Sequence, residues 1–258
     1  MAVKTPVRPT LTDTQLAEMM KLLRGSDTVE LKLTVPACQQ RAAIRALGLD
    51  ALDAQIRQVV FFDTPDLALD RAGVVVRARR IQGRAGDSVI KLRPLDPEQV
   101  GADVRRLTGF GVEVDAIPGG FVCSGRLKCE AGSDAIRQVL LGDRPLRKLY
   151  TKEQRALYRA HAPDGIGLDD LAVLGPIFVL KLKWQAREYA RKMVAEMWLY
   201  PDGARIFELS TKCLPTEAFQ VAAEGRVYLS EHGIDLSGEQ QTKTRTALEF
   251  FAGELAAA

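Results

Sequence analysis

Pairs of charged residues separated by a single position recur in five β-rich segments of the sequence. Residues two apart on a strand point to the same side, so each pair would present two long charged side chains to one face. The residues between them, such as Leu31, Leu92 and Leu182, are apolar and would face the other side. The pairs are Glu30 and Lys32, Arg77 and Arg79, Lys91 and Arg93, Arg126 and Lys128, and Lys181 and Lys183. Four of the five pairs are purely basic.

These basic pairs have two interpretations. Each pair alone is explained by a solvated outer sheet face, where strand charges usually lie. Several basic pairs on neighbouring strands repel one another, however, and an anion bound among them would relieve that repulsion. A barrel that turned them inward would be a polyanion pocket, in which Arg binds phosphate oxygens bidentately and Lys acts as a point charge. The chemistry that this second arrangement indicates is phosphate binding.

Short strands divided by turns make up most of the predicted secondary structure, and helices lie at both ends and between them. The predicted strands are residues 28–35, 58–62, 73–80, 88–93, 110–115, 121–129, 147–159, 165–169, 176–184, 192–200 and 204–212. The predicted helices are residues 12–24, 39–47, 133–141, 218–231 and 242–255. So many short strands in one compact α+β domain favour a closed or nearly closed antiparallel barrel.

Composition excludes several classes of protein. The 258 residues carry 36 Lys and Arg against 33 Asp and Glu, and a net charge of only +3 argues against duplex nucleic acid as a partner. There is no apolar run of about 18 residues to span a membrane and no secretory signal. The four cysteines and two histidines lack the spacing of a zinc site or a disulfide framework. A reduced, cytoplasmic protein without a membrane partner is expected.

Four segments resemble, in their order and spacing, the CYTH superfamily, also called the triphosphate tunnel metalloenzymes. Its members include class IV-type adenylyl cyclases, thiamine triphosphatases and bacterial inorganic triphosphatases. The segments are residues 28–32 (TVELK), 61–69 (FFDTPDLAL), 71–79 (RAGVVVRAR) and 89–93 (VIKLR). Arg155 with Tyr158, and then residues 168–169 and 174–175, are similar to the second half of the family's domain. We therefore expect an N-terminal helical extension (1–26) and a single tunnel domain (27–258) with a divergent insert around 95–130.

The resemblance implies an eight-stranded antiparallel barrel with helices packed outside. In such a barrel, basic residues hold a triphosphate and acidic residues hold Mg²⁺ or Mn²⁺. Glu30 and Lys32 would be the catalytic residues, and Glu30 and Asp169, a second acidic residue of the tunnel, would be metal ligands. The candidate phosphate-binding residues are Lys32, Arg77, Arg79, Lys91, Arg93, Arg155, Lys181 and Lys183.

Three positions on two strands depart from the family pattern. The family's first strand carries Glu-x-Glu-x-Lys, and Thr28 stands here in place of the first acid. Lysines also stand at positions 181 and 183, where a second acidic pair is usual. Because these divalent metals prefer carboxylate oxygens, we take Glu208 as a replacement metal ligand. Glu196 and the pair of Glu113 and Asp115 are further candidates, although a surface or structural role explains each of them more simply.

Three functions stay open. The first, which we favour, is a metal-dependent triphosphatase that hydrolyses a linear triphosphate, either inorganic or carrying an organic group. The second is a non-catalytic binder of polyphosphate or nucleotide, which the missing acids favour. The third is an adenylyl cyclase that forms cyclic AMP from ATP. In each case the partner is a small molecule that contains a triphosphate, and the chain acts alone or as a homodimer.

Overall fold

The computed structural model describes residues 12–236, 240 and 242–257, and in these residues the strands form one closed barrel with helices outside it. The strands are β1 (Thr28–Val35), β2 (Gln55–Asp63), β3 (Val74–Ile81), β4 (Arg84–Leu92), β5 (Phe110–Ile117), β6 (Gly120–Ala131), β7 (Ala172–Trp184), β8 (Met193–Leu199) and β9 (Arg205–Cys213). The helices are α1 (Asp13–Arg24), α2 (Gln40–Ala46), α3 (Ala68–Arg71), α4 (Ala102–Arg105), α5 (Ser133–Leu140), α6 (Lys152–His161), α7 (Ala218–Glu231) and α8 (Lys243–Ala257).

The barrel has the predicted α+β architecture, but its strand count and one of its pairings differ from the expectation. The order around the barrel is β1-β5-β6-β4-β3-β2-β7-β8-β9, so the described residues form nine strands rather than eight. Every neighbouring pair is antiparallel except β1 and β5, which run parallel. Strand β5 comes from the segment expected to be a divergent insert, and it lies between β1 and β6 in the barrel wall. That segment is therefore part of the barrel.

Most of the apolar core lies outside the barrel, between the strands and the helices, whereas one cluster that includes Val59, Val179 and Trp198 faces the lumen and packs against α8. Ile90 on β4 is fully buried and packs in one cluster with Ile136 of α5 and Leu157 of α6. On the opposite side, Leu33 of β1 packs in a cluster with Leu229 of α7. Because successive strand residues alternate between faces, burying these apolar residues outside turns the charged residues between them inward. Helix packing on the outer face thus directs the charged pairs into the lumen.

Two predicted strands are wrong. The segment predicted as a strand over 147–159 contains a short 3₁₀ turn and then helix α6, and 165–169 ends in another 3₁₀ turn, Leu168–Asp170. Helix α6 begins with a capping box, in which the Thr151 side chain accepts from the Gln154 backbone and Gln154 bonds back to the Thr151 backbone. The Thr-x-x-Gln spacing is a helix-start signal, which outweighs the β propensity of the residues around it. Both segments therefore lie outside the barrel wall.

None of the helices in the described residues is both long enough and apolar enough to cross a membrane.

A charged tunnel inside the barrel

The barrel encloses a cavity of about 550 Å³ to which all nine strands contribute charged side chains. Fourteen Lys and Arg residues line it, against six Asp and Glu. The cations are Lys32, Arg57, Arg77, Arg79, Arg84, Lys91, Arg93, Arg126, Lys128, Lys181, Lys183, Lys192, Lys212 and Lys243, and the acids are Glu30, Asp87, Glu113, Asp115, Glu196 and Glu208. A chain whose overall charge is +3 thus concentrates a much larger positive excess in one low-dielectric space. We call this cavity the tunnel.

Most of the site residues expected from the sequence line the tunnel. These are Glu30, Lys32, Arg77, Arg79, Lys91, Arg93, Lys181, Lys183 and Glu208. The structure does not bring Arg155 and Asp169 to this cavity. Arg155 lies on α6, where its guanidinium donates to the carbonyl oxygens of Arg147 and Tyr150, and Asp169 accepts a hydrogen bond of 2.8 Å from the Arg147 backbone and pairs with the Arg147 side chain. Both residues were assigned to strands that the fold does not contain, and both stabilise the outer layer.

Three carboxylates meet at one side of the tunnel. In the parallel pairing of β1 with β5, Thr28 lies opposite Glu113 and Glu30 lies opposite Asp115. Carboxylate oxygens of Glu30, Glu113 and Asp115 lie within 4.8 Å of one another. The Thr28 hydroxyl is 3.4 Å from Glu113 Oε2, so the neighbouring strand supplies a carboxylate beside the position where β1 lacks one. The acid-x-acid spacing at 113 and 115 is visible in the sequence, but the parallel pairing that gives it this role is not.

Neighbouring cations hold two of these carboxylates, Asp115 and Glu30, in their ionised form. Asp115 is 1% exposed, and its oxygens lie 2.8 Å from Lys32 Nζ, 3.4 Å from Lys91 Nζ and 3.5 Å from Arg93 Nη1. Burial alone would raise the pKa of Asp115, but these three cations hold that pKa well below its usual range. Burial opposes ionisation of Glu30 too, and the ammonium groups of Lys32 and Lys212 nevertheless lower its pKa to about 2. Both side chains are therefore negatively charged at neutral pH.

This donor set fits a divalent cation. Mg²⁺ and Mn²⁺ prefer hard oxygen ligands and usually combine a few carboxylates with substrate phosphate oxygens. Glu30, Glu113 and Asp115 offer such oxygens from two adjacent strands, at the edge of a space lined by Lys and Arg side chains. The cations already beside them, Lys32 and Lys212, neutralise the cluster in the absence of a metal. An entering cation would have to displace those ammonium groups toward the anion.

The other side of the tunnel carries guanidinium groups whose hydrogen-bonding capacity is not filled. Arg79 is held by a two-point contact with Asp87, at 2.8 and 2.7 Å. The Nε atoms of Arg77 and Arg126 are buried and have no hydrogen-bond partner. Burial, reinforced by neighbouring Arg79, lowers the pKa of Arg77 to about 10. Because a buried unpaired donor is costly, an anion that accepted from these groups would stabilise the site.

Lys91 would make the binding of an anion in the tunnel depend on pH. Burial lowers the pKa of Lys91 to about 8, and nearby Lys32 and Arg93 act in the same direction. A bound polyanion stabilises the ammonium form and raises this pKa, so at about pH 8.5 binding should take up protons and should weaken as the pH rises further. We expect calorimetry in two buffers of different ionisation enthalpy to show this uptake with tripolyphosphate. Lys91→Met should lose it, and equal uptake by both proteins would contradict the assignment.

The closed barrel and its charged lumen define the class of fold that the resemblance to the CYTH superfamily predicted. No protein-family model matches the chain, and no curated protein does either. Among solved structures, it is similar to a putative adenylate cyclase from Bacillus halodurans, with a TM-score of 0.59 and 13% identity over 85% of this chain and 97% of that one. It is also similar to a putative adenylyl cyclase from Hippeastrum with a dominant triphosphatase activity, with a TM-score of 0.58 and 17% identity over 83% of this chain and 92% of that one. At these identities the likeness shows a shared fold.

Proposed function

We propose that the protein binds a linear triphosphate in the tunnel and hydrolyses it with Mg²⁺ or Mn²⁺ held by Glu30, Glu113 and Asp115. The observation that carries the proposal is the meeting, in one cavity, of a large excess of Lys and Arg with three clustered carboxylates. A purely structural barrel core has no need of either group. The shared fold with a Hippeastrum protein that has triphosphatase activity supports the same conclusion.

The chain's own residues would contribute to catalysis mainly by positioning the triphosphate and by neutralising its charge. The guanidinium groups of Arg77, Arg79 and Arg93 neutralise and orient the phosphates, since planar Arg binds phosphate oxygens at two points. Lys32 lies between the two sides, with its Nζ 3.2 Å from Glu30 and 2.8 Å from Asp115, and it can turn toward a phosphate oxygen once a metal takes those carboxylates. The divalent ion would supply Lewis-acid polarisation of the phosphoryl oxygens. Preorganised charges of this kind are the usual basis of phosphoryl transfer catalysis.

The direct test is phosphate release from inorganic tripolyphosphate with Mg²⁺, with Mn²⁺ and with excess chelator. We expect release that requires a divalent ion. If there is no release with any divalent metal, but tripolyphosphate still binds tightly, the protein is a binder and the hydrolytic proposal is wrong. Product analysis with ATP separates the third function, because a cyclase forms cyclic AMP whereas a triphosphatase releases phosphate. Cyclic AMP as the main product would replace the proposal.

Glu113→Gln tests whether β5 supplies a metal ligand. The amide keeps the shape of the side chain but removes the charge, so we expect the Mn²⁺ concentration needed for half-maximal activity to rise by at least about 10-fold, by analogy with losses from outer-shell changes around metals. The matched control is Glu98→Gln, because Glu98 is 63% exposed and lies outside the tunnel. An unchanged metal requirement in Glu113→Gln would remove this residue from the site.

A further inference from the structure

A second group of carboxylates lies in the tunnel, on β8 and on β9, the strand that pairs with β1 on the side away from β5. Glu196 of β8 and Glu208 of β9 lie directly opposite each other in the antiparallel register. Both side chains are mostly buried, at 14% and 6% exposure. Like charges that face each other on adjacent strands repel, and burial strengthens the repulsion. Two such carboxylates therefore require a cation between them.

The cation is an ammonium group of the protein itself. Lys243, the first residue of α8, extends into the tunnel and contacts both Glu196 Oε2 and Glu208 Oε1, the latter at 2.6 Å. The Lys243 ammonium also lies 5.3 Å from the centre of the Trp198 ring, a distance at which the ring face attracts a cation. Lys181 contacts the other oxygen of Glu196 at 2.5 Å. The two glutamates and the Trp198 ring that Lys243 contacts thus favour its charged form.

We infer that Lys243 occupies the position of a divalent cation between Glu196 and Glu208, so that the tunnel binds one metal ion, at Glu30, Glu113 and Asp115, and holds a fixed ammonium at its other carboxylate pair. An ammonium carries three N–H donors. The two glutamates take two of them, and within the described residues the third donates to no other side chain, so it can reach a phosphate oxygen in the cavity that Lys243 lines. The metal ion at the three-carboxylate cluster and the identity of that anion rest on the proposed function, whereas the position of the Lys243 ammonium between the two glutamates does not.

Such a site differs from a site with two metal ions in its total charge and in whether its second cation can be removed. A lysine contributes one positive charge where a divalent ion contributes two, and no chelator can remove it. Lys243 also differs from the other cations of the tunnel because it comes from a helix and not from the barrel wall. The carboxylates that it pairs with are hard oxygen ligands, which would suit Mg²⁺ or Mn²⁺ if the ammonium were absent.

Counting bound Mn²⁺ tests the inference without any measurement of activity. Equilibrium dialysis of the free protein should show at most one tightly bound ion, and Lys243→Met should bind one ion more than the unchanged protein. Lys243→Arg keeps the cation and should gain none. The matched control is Lys183→Met, which also removes a tunnel lysine but leaves Glu196 and Glu208 paired. Adding Glu208→Gln to Lys243→Met should abolish the extra ion.

The outcomes separate this inference from the proposed function. A second ion bound by the unchanged protein would overturn the inference, and this measurement holds even if Lys243→Met fails to fold. Equal counts in a folded Lys243→Met and the unchanged protein would overturn it as well. If the unchanged protein binds no ion at all, the metal site of the proposed function is wrong. Even then, a gain of one ion in Lys243→Met would support the role of Lys243.

Discussion

Replacing Asp115 with asparagine is expected to reduce metal-dependent phosphate release by about 100-fold or more, the size of effect that follows loss of one preorganised charge in an active site. Asp115 donates an oxygen to the three-carboxylate cluster and is the common partner of Lys32, Lys91 and Arg93. The neutral amide removes a metal ligand and leaves three buried cations without their shared counterion. Initial rates of phosphate release at saturating Mn²⁺ would measure the loss.

Two further effects of Asp115→Asn distinguish this cause from general damage. The free protein should lose about 3–5 kcal/mol of unfolding free energy, the usual result when one partner of a buried ion pair is removed. Metal-free binding of tripolyphosphate should become tighter, because the uncompensated cations attract the anion more strongly. Asp103→Asn is the control, since Asp103 is 93% exposed and pairs with Arg106, the C-cap residue of its helix. Full activity in Asp115→Asn would contradict the assigned metal site.

Replacing Arg77 with methionine is expected to weaken tripolyphosphate binding by about 2–5 kcal/mol, or roughly 30-fold and more, because a buried charged contact is lost. The Arg77 side chain is buried near Arg79, and its Nε has no hydrogen-bond partner in the free protein. Its charge therefore opposes folding when no anion is bound. We expect the free variant to unfold at a higher temperature than the unchanged protein. We also expect tripolyphosphate to raise the unfolding temperature of the variant by less than it raises that of the unchanged protein.

The matched control for Arg77→Met is Arg155→Met. Arg155 was an equally strong candidate for phosphate binding in the sequence, but its guanidinium contacts backbone carbonyls on the outer layer. We expect its replacement to leave tripolyphosphate affinity unchanged and to lower stability slightly. Calorimetric titration of both variants with tripolyphosphate would measure the two affinities. If Arg155→Met lost affinity and Arg77→Met did not, the tunnel would not be the binding site.

The arrangement of the cationic residues was predictable because it depends on strand periodicity. Arg77 and Arg79, or Lys91 and Arg93, must share a face wherever a strand forms, and the apolar residues between them must take the other face. The prediction that Arg155 lies on a strand failed for an equally local reason, since the Thr151–Gln154 capping box starts a helix there. Periodicity also could not distinguish an inward from an outward face, because both satisfy the same alternation.

The amino-acid sequence by itself therefore determined which residues share a strand face, the α+β barrel class and most of the cations of the tunnel. Tertiary structure alone decided that β5 pairs parallel to β1, which brings Glu113 beside Thr28 and Asp115 beside Glu30. It also decided that Lys243 reaches Glu196 and Glu208 from the start of the last helix. The physical reason is the separation along the sequence. The alternation of strand faces relates residues two positions apart. These carboxylates and their cations, in contrast, lie on distant chain segments that meet only when the barrel closes.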